Sequence, residues 1–118
     1  MEYDIYSALE PLGHPVVWGG FDDAEGFPRI TLQMISNSTR YTLKDRAGNE
    51  TARIQVNVYA ETYEEMMLAA RQVSQTLTGF RGGSVIRCKE ISRRDGPAES
   101  GGDVIRLQQL DFRVRYRA

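Results

Sequence analysis

The chain has 118 residues, 41% of them hydrophobic and 26% charged, with a formal net charge of −1. This is enough chain for one domain around one core, so residues 1–118 are read as a single domain. No apolar run approaches the roughly 20 residues of a membrane-spanning helix, and the acidic start MEYDIYSALE is unlike a secretory signal, which opens positive and continues apolar. One cysteine, Cys88, and one histidine, His14, exclude a disulfide or a two-histidine zinc site within one chain, and suit a reducing cytosol.

The small net charge conceals an asymmetry. Residues 1–25 carry Glu2, Asp4, Glu10, Asp22, Asp23 and Glu25 and no lysine or arginine, whereas residues 81–118 carry nine basic residues against five acidic ones. Such polarity suits either separately solvated faces or a head-to-tail contact, in which the acidic patch of one copy meets the basic patch of the next.

Residues 2–12 read as a short amphipathic helix, with Ile5, Ala8, Leu9 and Leu12 on one side and Pro11-Leu12-Gly13 as its end. Pro15-Val16-Val17-Trp18 is an apolar run of short-strand character, and residues 19–26 (GGFDDAEG) are a loop by composition. Asp22, Asp23 and Glu25 lack the spacing of an EF-hand loop, which leaves a solvated acidic loop or a protein contact. Beyond Pro28 the chain alternates: Ile30, Leu32 and Met34 face one way, Arg29, Thr31 and Gln33 the other. Residues 37–50 (NSTRYTLKDRAGNE) are longer than a hairpin turn requires. Tyr41, Thr42 and Leu43 have strand character, and Ala47-Gly48-Asn49 has turn character. Arg40, Lys44 and Arg46 make the segment basic. It reads as an exposed arm or extended loop, with a variable surface insertion as the alternative.

Residues 51–80 carry the clearest pattern. Ala52, Ile54, Val56, Val58 and Ala60 alternate with polar residues, the period of a half-buried strand. The period then changes. Thr62 and Glu65 are spaced as a capping box, and Tyr63, Met66, Met67, Ala70, Val73 and Leu77 share one helical face. Gly79 is placed as the left-handed residue that stops the helix, with Phe80 folding back on its last turn. After the Arg81-Gly82-Gly83 turn, Ile86 and Cys88 face one way and Val85, Arg87 and Lys89 the other. Residues 92–102 are a polar Gly/Pro loop. In the closing strand Leu110, Phe112, Val114 and Tyr116 alternate with Asp111, Arg113, Arg115 and Arg117. Ile105 and Leu107 are out of phase with that set, and a β-bulge near Gln108-Gln109 would restore it. The order of elements predicts an α+β fold: a mostly antiparallel β-sheet with two helices packed on one face and one long loop or β-hairpin arm.

Chemistry is sparse. His14 lies in a turn without a serine or cysteine arranged around it, and Cys88 alternates as a core-facing strand residue. No acid–base pair stands at a defined spacing, and the glycine pairs lack a phosphate-loop pattern. The pointed feature is the ladder Arg113, Arg115, Arg117, with Arg53 on the neighbouring strand. It is either a solvated outer face or an interface for a partner's acidic residues or nucleic-acid phosphates. Gln55, Asn57 and Tyr59 beside it suit a surface covered by another subunit.

Across nearly its whole length the sequence resembles the tail-completion, or tail-terminator, proteins of long-tailed bacteriophages, prophages and gene transfer agents. The segments that carry the resemblance are FPRITLQMIS, ARIQVNVYAETYEEMMLAARQVSQTLTGF and VIRLQQLDFRVRYRA. Arg53, Gln55, Val56, Val58, Tyr59 and Ala60 fit the family's strand, Thr62, Tyr63 and Glu64 its helix start, and Gly48 the glycine of its loop. The resemblance implies a structural protein of the virion tail or neck, made in the bacterial host cytoplasm, with no enzymatic activity and no cofactor. It implies a homo-hexameric ring that caps the tail tube, ends tube polymerisation and joins the tail to the head connector or stopper, with DNA as a non-specific passenger in the channel and no membrane partner. On that reading Asp22, Asp23, Glu25, Arg53, Arg113, Arg115 and Arg117 are interface candidates between neighbours. Arg40, Lys44 and Arg46 belong to an arm that reaches the tube, a neighbour or the channel. The alternatives are a neck or head–tail adaptor, and a small nucleic-acid-binding module using the arginine face.

Overall fold

In the computed structural model, residues 1–19, 29–41, 46–96, 99–100 and 104–117 are described. The chain begins with helix α1 (Glu2–Leu9), which tightens into a 3-10 turn at Glu10–Leu12 and ends at Gly13 with φ +84°. Strands β1 (Val16–Trp18), β2 (Arg29–Tyr41) and β3 (Arg46–Ala60) follow. Helix α2 (Tyr63–Leu77) then leads to β4 (Val85–Asp95), the short β5 (Glu99–Ser100) and β6 (Val104–Arg117).

The sheet order is β1-β2-β3-β6-β4, with β5 pairing β6. All pairs are antiparallel except β1 with β2, which run parallel. Strand β6 is inserted between β3 and β4, so the β3-α2-β4 passage is split by an antiparallel strand. The two helices cover one face. Ile5 and Leu9 of α1 and Ala69, Ala70, Val73 and Leu77 of α2 pack on Ile30, Leu32, Ile54, Val56, Val58, Leu110, Phe112 and Val114. Burial of each of the larger side chains among them stabilises by about 1.5–3 kcal/mol, and this layer is what fixes the register of β3 and β6.

Local chemistry sets the helix ends. The Thr62 hydroxyl accepts the Glu65 N–H at 3.2 Å, as the capping spacing predicts. At the far end Gly79 takes φ +78°, and its N–H donates to the Cys88 carbonyl at 2.9 Å, joining the helix stop to β4. Helix α1 is tied to the same region through Asp4, whose carboxylate accepts the Ser84 N–H at 3.1 Å and the Ser84 hydroxyl at 2.7 Å. Gly83, at φ +55°, lies directly against that carboxylate, where a Cβ would collide with it. Those hydrogen bonds hold the Asp4 carboxyl below its ordinary pKa.

The structure corrects several sequence expectations. Of the two readings of residues 37–50, the hairpin arm holds for the described part: β2 and β3 continue as a pair, with Asn37 opposite Ala52 and Tyr41 opposite Arg46. Strand β4 runs on to Asp95, into the expected polar loop. No bulge occurs near Gln108-Gln109, since the β3–β6 register is continuous from Asn49↔Arg117 to Ala60↔Arg106. Gln108 instead occupies a buried position on the helix side, donating to Asp95 at 3.0 Å. Register shifts lie instead in β2, between Met34 and Ser36 and between Thr39 and Tyr41, and in β4, between Glu90 and Ser92 and between Val85 and Arg87, the last of which puts both Val85 and Cys88 in the core. Tyr63 is 51% exposed rather than on the buried stripe, and Ala69 is buried in addition to the predicted set. Met34 is 38% exposed, beyond the part of β2 that the helices cover. Arg29, Thr31 and Asn57, expected to face outward, are buried within the chain, and Asn57 donates to the Thr31 hydroxyl at 3.2 Å. That part of the outer face is therefore not left for another subunit.

Candidate assembly interface

Strand alternation puts Leu110, Phe112 and Val114 under the helices and Asp111, Arg113 and Arg115 on the opposite, outer face. Strand pairing then decides which charges meet. Arg53 on β3, Arg113 on β6 and Lys89 on β4 stand in one row across the sheet, and Thr51, Arg115 and Arg87 in the next. The predicted ladder is thus half of a wider cationic field, the other half of which is supplied by β4.

Within this field one group of cations is neutralised inside the fold. Asp111 is almost wholly buried, its side chain 3% exposed, and its Oδ2 accepts from Arg53 at 3.1 Å, Arg94 at 3.0 Å and the Ser92 hydroxyl at 3.0 Å. Burial works to raise its pKa, but the hydrogen bonds from Arg94, Arg53 and Ser92 outweigh it and keep the carboxyl below the ordinary value. Arg53 therefore has an internal structural partner. Glu90, the nearby acid of β4, is taken by Arg93 at 3.0 Å.

The second group has no such partner. Arg87, Lys89, Arg113 and Arg115 make no side-chain ion pair or hydrogen bond among the described residues. With Thr51 they line a hollow of about 260 Å³. The Nε of Arg115 is buried without an acceptor. Like charges directly opposite each other on neighbouring strands are destabilising, and this sheet has three such pairs here, Arg113–Lys89, Arg115–Arg87 and Arg53–Arg113. Arg117, the last residue of the ladder, is exposed opposite Asn49.

The remaining candidates divide into those placed and those outside view. Arg40 and Arg46 have backbones in the β2–β3 hairpin, but their side chains, all of Lys44, and Asp22, Asp23 and Glu25 lie outside the described residues. Cys88 is buried, and burial pushes its thiol up to about 12, so the nucleophilic thiolate is suppressed at neutral pH. His14 meets Gln72 of α2 at 3.0 Å, which ties the turn after α1 to the second helix. Among the described residues there is no group of three or more His, Cys, Asp or Glu side chains able to hold a metal ion, and no helix long and apolar enough to cross a membrane. The sequence identified Arg113 and Arg115 and missed their grouping with Arg87 and Lys89. The alternation of those two opposite Cys88 was visible, but the adjacency of β4 and β6 was not.

No family profile matches the chain, and no curated protein does. Among solved structures, the fold is similar to that of a chain in one described as "Virion of native gene transfer agent (GTA) particle", with a TM-score of 0.74, 15% sequence identity, and coverage of 97% of this chain and 92% of that one.

Proposed function

We propose that this chain is a structural virion protein of the tail-terminator type. It forms a homo-hexameric ring on the end of the tail tube, stops tube polymerisation and offers a surface to the head connector, with DNA passing through the ring. On this reading the protein is not an enzyme and needs no cofactor. The observation that carries the reading is the likeness of fold over nearly the whole of both chains to a component of a gene transfer agent virion, which agrees with the resemblance in residues 27–36, 52–80 and 104–118. The β2–β3 hairpin adds to it: its distal part extends past Arg117, the last paired residue of β6, as an arm able to reach a tube subunit or a neighbour.

The test is negative-stain microscopy of particles assembled with and without the protein. The expected outcome of its loss is tails of uncontrolled length that are not joined to heads. Normal tails with a defect elsewhere in the particle would overturn the terminator role and favour a neck adaptor.

A further inference from the structure

Among the described residues the cation quartet Arg87, Lys89, Arg113 and Arg115 has no anion, and an exposed acidic patch of the same chain has no cation. Glu61, Glu64 and Glu65 are all exposed at the start of α2. None of their carboxylates is engaged among the described residues. Beside them Tyr63 is 51% and Leu68 55% exposed, which gives the patch apolar contact area within an acidic rim.

The two patches cannot meet inside one molecule. Helix α2 covers the core face of the sheet, whereas the quartet is on the outer face. They are also at opposite ends. The start of α2 lies near Asp95 and Leu107, with the Tyr63 hydroxyl 3.5 Å from Asp95, whereas Arg87 and Arg115 flank the stop of the same helix, near Gly79. Two complementary patches on opposite faces and opposite ends define a heterologous contact, which closes into a ring when the rotation between copies permits.

We propose that the hollow formed by Arg87, Lys89, Arg113 and Arg115 receives the Glu61–Glu64–Glu65 carboxylates of a second copy of this chain. This deepens the ring reading and rests on it, by naming the two surfaces that join neighbours. Three arginines provide forked donors suited to carboxylates, and the lysine adds a point charge beside them. A second copy is favoured over nucleic acid because the chain carries a net charge of −1 and supplies the matching acidic surface itself.

The experiment is a charge swap in particle-producing cells that lack the native copy. Arg113→Glu with Arg115→Glu is expected to reduce joined particles at least tenfold. Adding Arg87→Glu and Lys89→Glu together with Glu61→Lys, Glu64→Lys and Glu65→Lys to the same chain is expected to restore them, because both sides of the contact are then reversed. The neutral pair Arg113→Gln with Arg115→Gln guards against misfolding: it should retain the native melting temperature and still reduce joining. Full joining by the reversed arginine variant overturns the proposal. A folded arginine variant that fails and is not rescued by reversal of both patches also overturns it, and assigns the quartet to another partner such as DNA phosphates. A deletion strain with normal tails separates failure of the terminator reading from failure of this contact.

Discussion

Two groups of cations share the outer face of one sheet and differ by a single carboxylate. Arg53 and Arg94 converge on Asp111, which is held in the sheet between Leu110 and Phe112 and so cannot turn away. One register step along, Arg113, Arg115, Arg87 and Lys89 are brought together by the same pairing with no acid among them. The first group contributes to folding through a buried charge satisfied on one oxygen by three donors. The second opposes folding by aligning like charges, and on the proposed reading a second copy supplies the anion that the four side chains lack among the described residues. Charge alone does not separate a structural cluster from an interface; the presence of an internal counter-ion does.

The comparison can be broken most sharply at Asp111. Asp111→Ala leaves a hole and removes the counter-ion of two arginines. Because Arg53 and Arg94 are half-exposed and regain water, the expected loss is about 2–3 kcal/mol, below the upper end for a fully buried pair. Urea denaturation checks it as a fall in midpoint at constant slope. A loss under 0.5 kcal/mol would remove the distinction between the two groups.

Acid titration sharpens the same point. Asp111 and Asp4 both have folded-state pKa values below their ordinary ones. Each therefore binds a proton more weakly folded than unfolded, so its stabilisation is complete above the unfolded value of about 4 and is lost as pH falls through the folded one. Denaturation midpoints followed from pH 6 to about pH 2 should decline in the wild type and decline less steeply in Asp111→Asn. Parallel curves would contradict the clamp.

Asp4 serves as a control, a carboxylate held by a serine without any arginine. Ser84→Ala removes its hydroxyl donor and keeps the backbone one, with an expected loss of about 1 kcal/mol and no change in assembly. The smallest effect is expected where sequence conservatism would suggest harm. Arg87→Gln or Arg115→Gln relieves like-charge pairing and should leave stability unchanged or raise it by up to about 0.5 kcal/mol. A loss above 1 kcal/mol in the isolated chain would mean that the quartet has a structural role.

Much of the fold was legible because its elements carry uninterrupted periods. The alternation of residues 52–60 and 110–116 is imposed by a one-sided core, and the cap at Thr62 and stop at Gly79 are chemical signals local to the chain. What was not legible depended on pairing. The hairpin arm of residues 37–41 and 46–50 was legible only as one of two readings, because it extends past the sheet that the helices cover and lacks the alternation of a buried face. The shift between Val85 and Arg87 inverts the face assignment of Val85, and no local residue announces it. The burial of Thr31 and Asn57 is a tertiary effect that polar side chains conceal. At the candidate interface, β6 alone disclosed Arg113 and Arg115. Asp111, the lone acid in a run of alternating arginines, was the available clue that part of the ladder is clamped.

The measurement that tests the account most directly is a cryo-EM reconstruction of the particle at the junction of head and tail. The account predicts this chain as a closed ring at the head-proximal end of the tail tube, with Arg113 and Arg115 of each copy against Glu61 and Glu64 of the next. A location elsewhere in the particle would contradict the terminator assignment, and a ring whose arginine quartets line the DNA channel would contradict the neighbour contact.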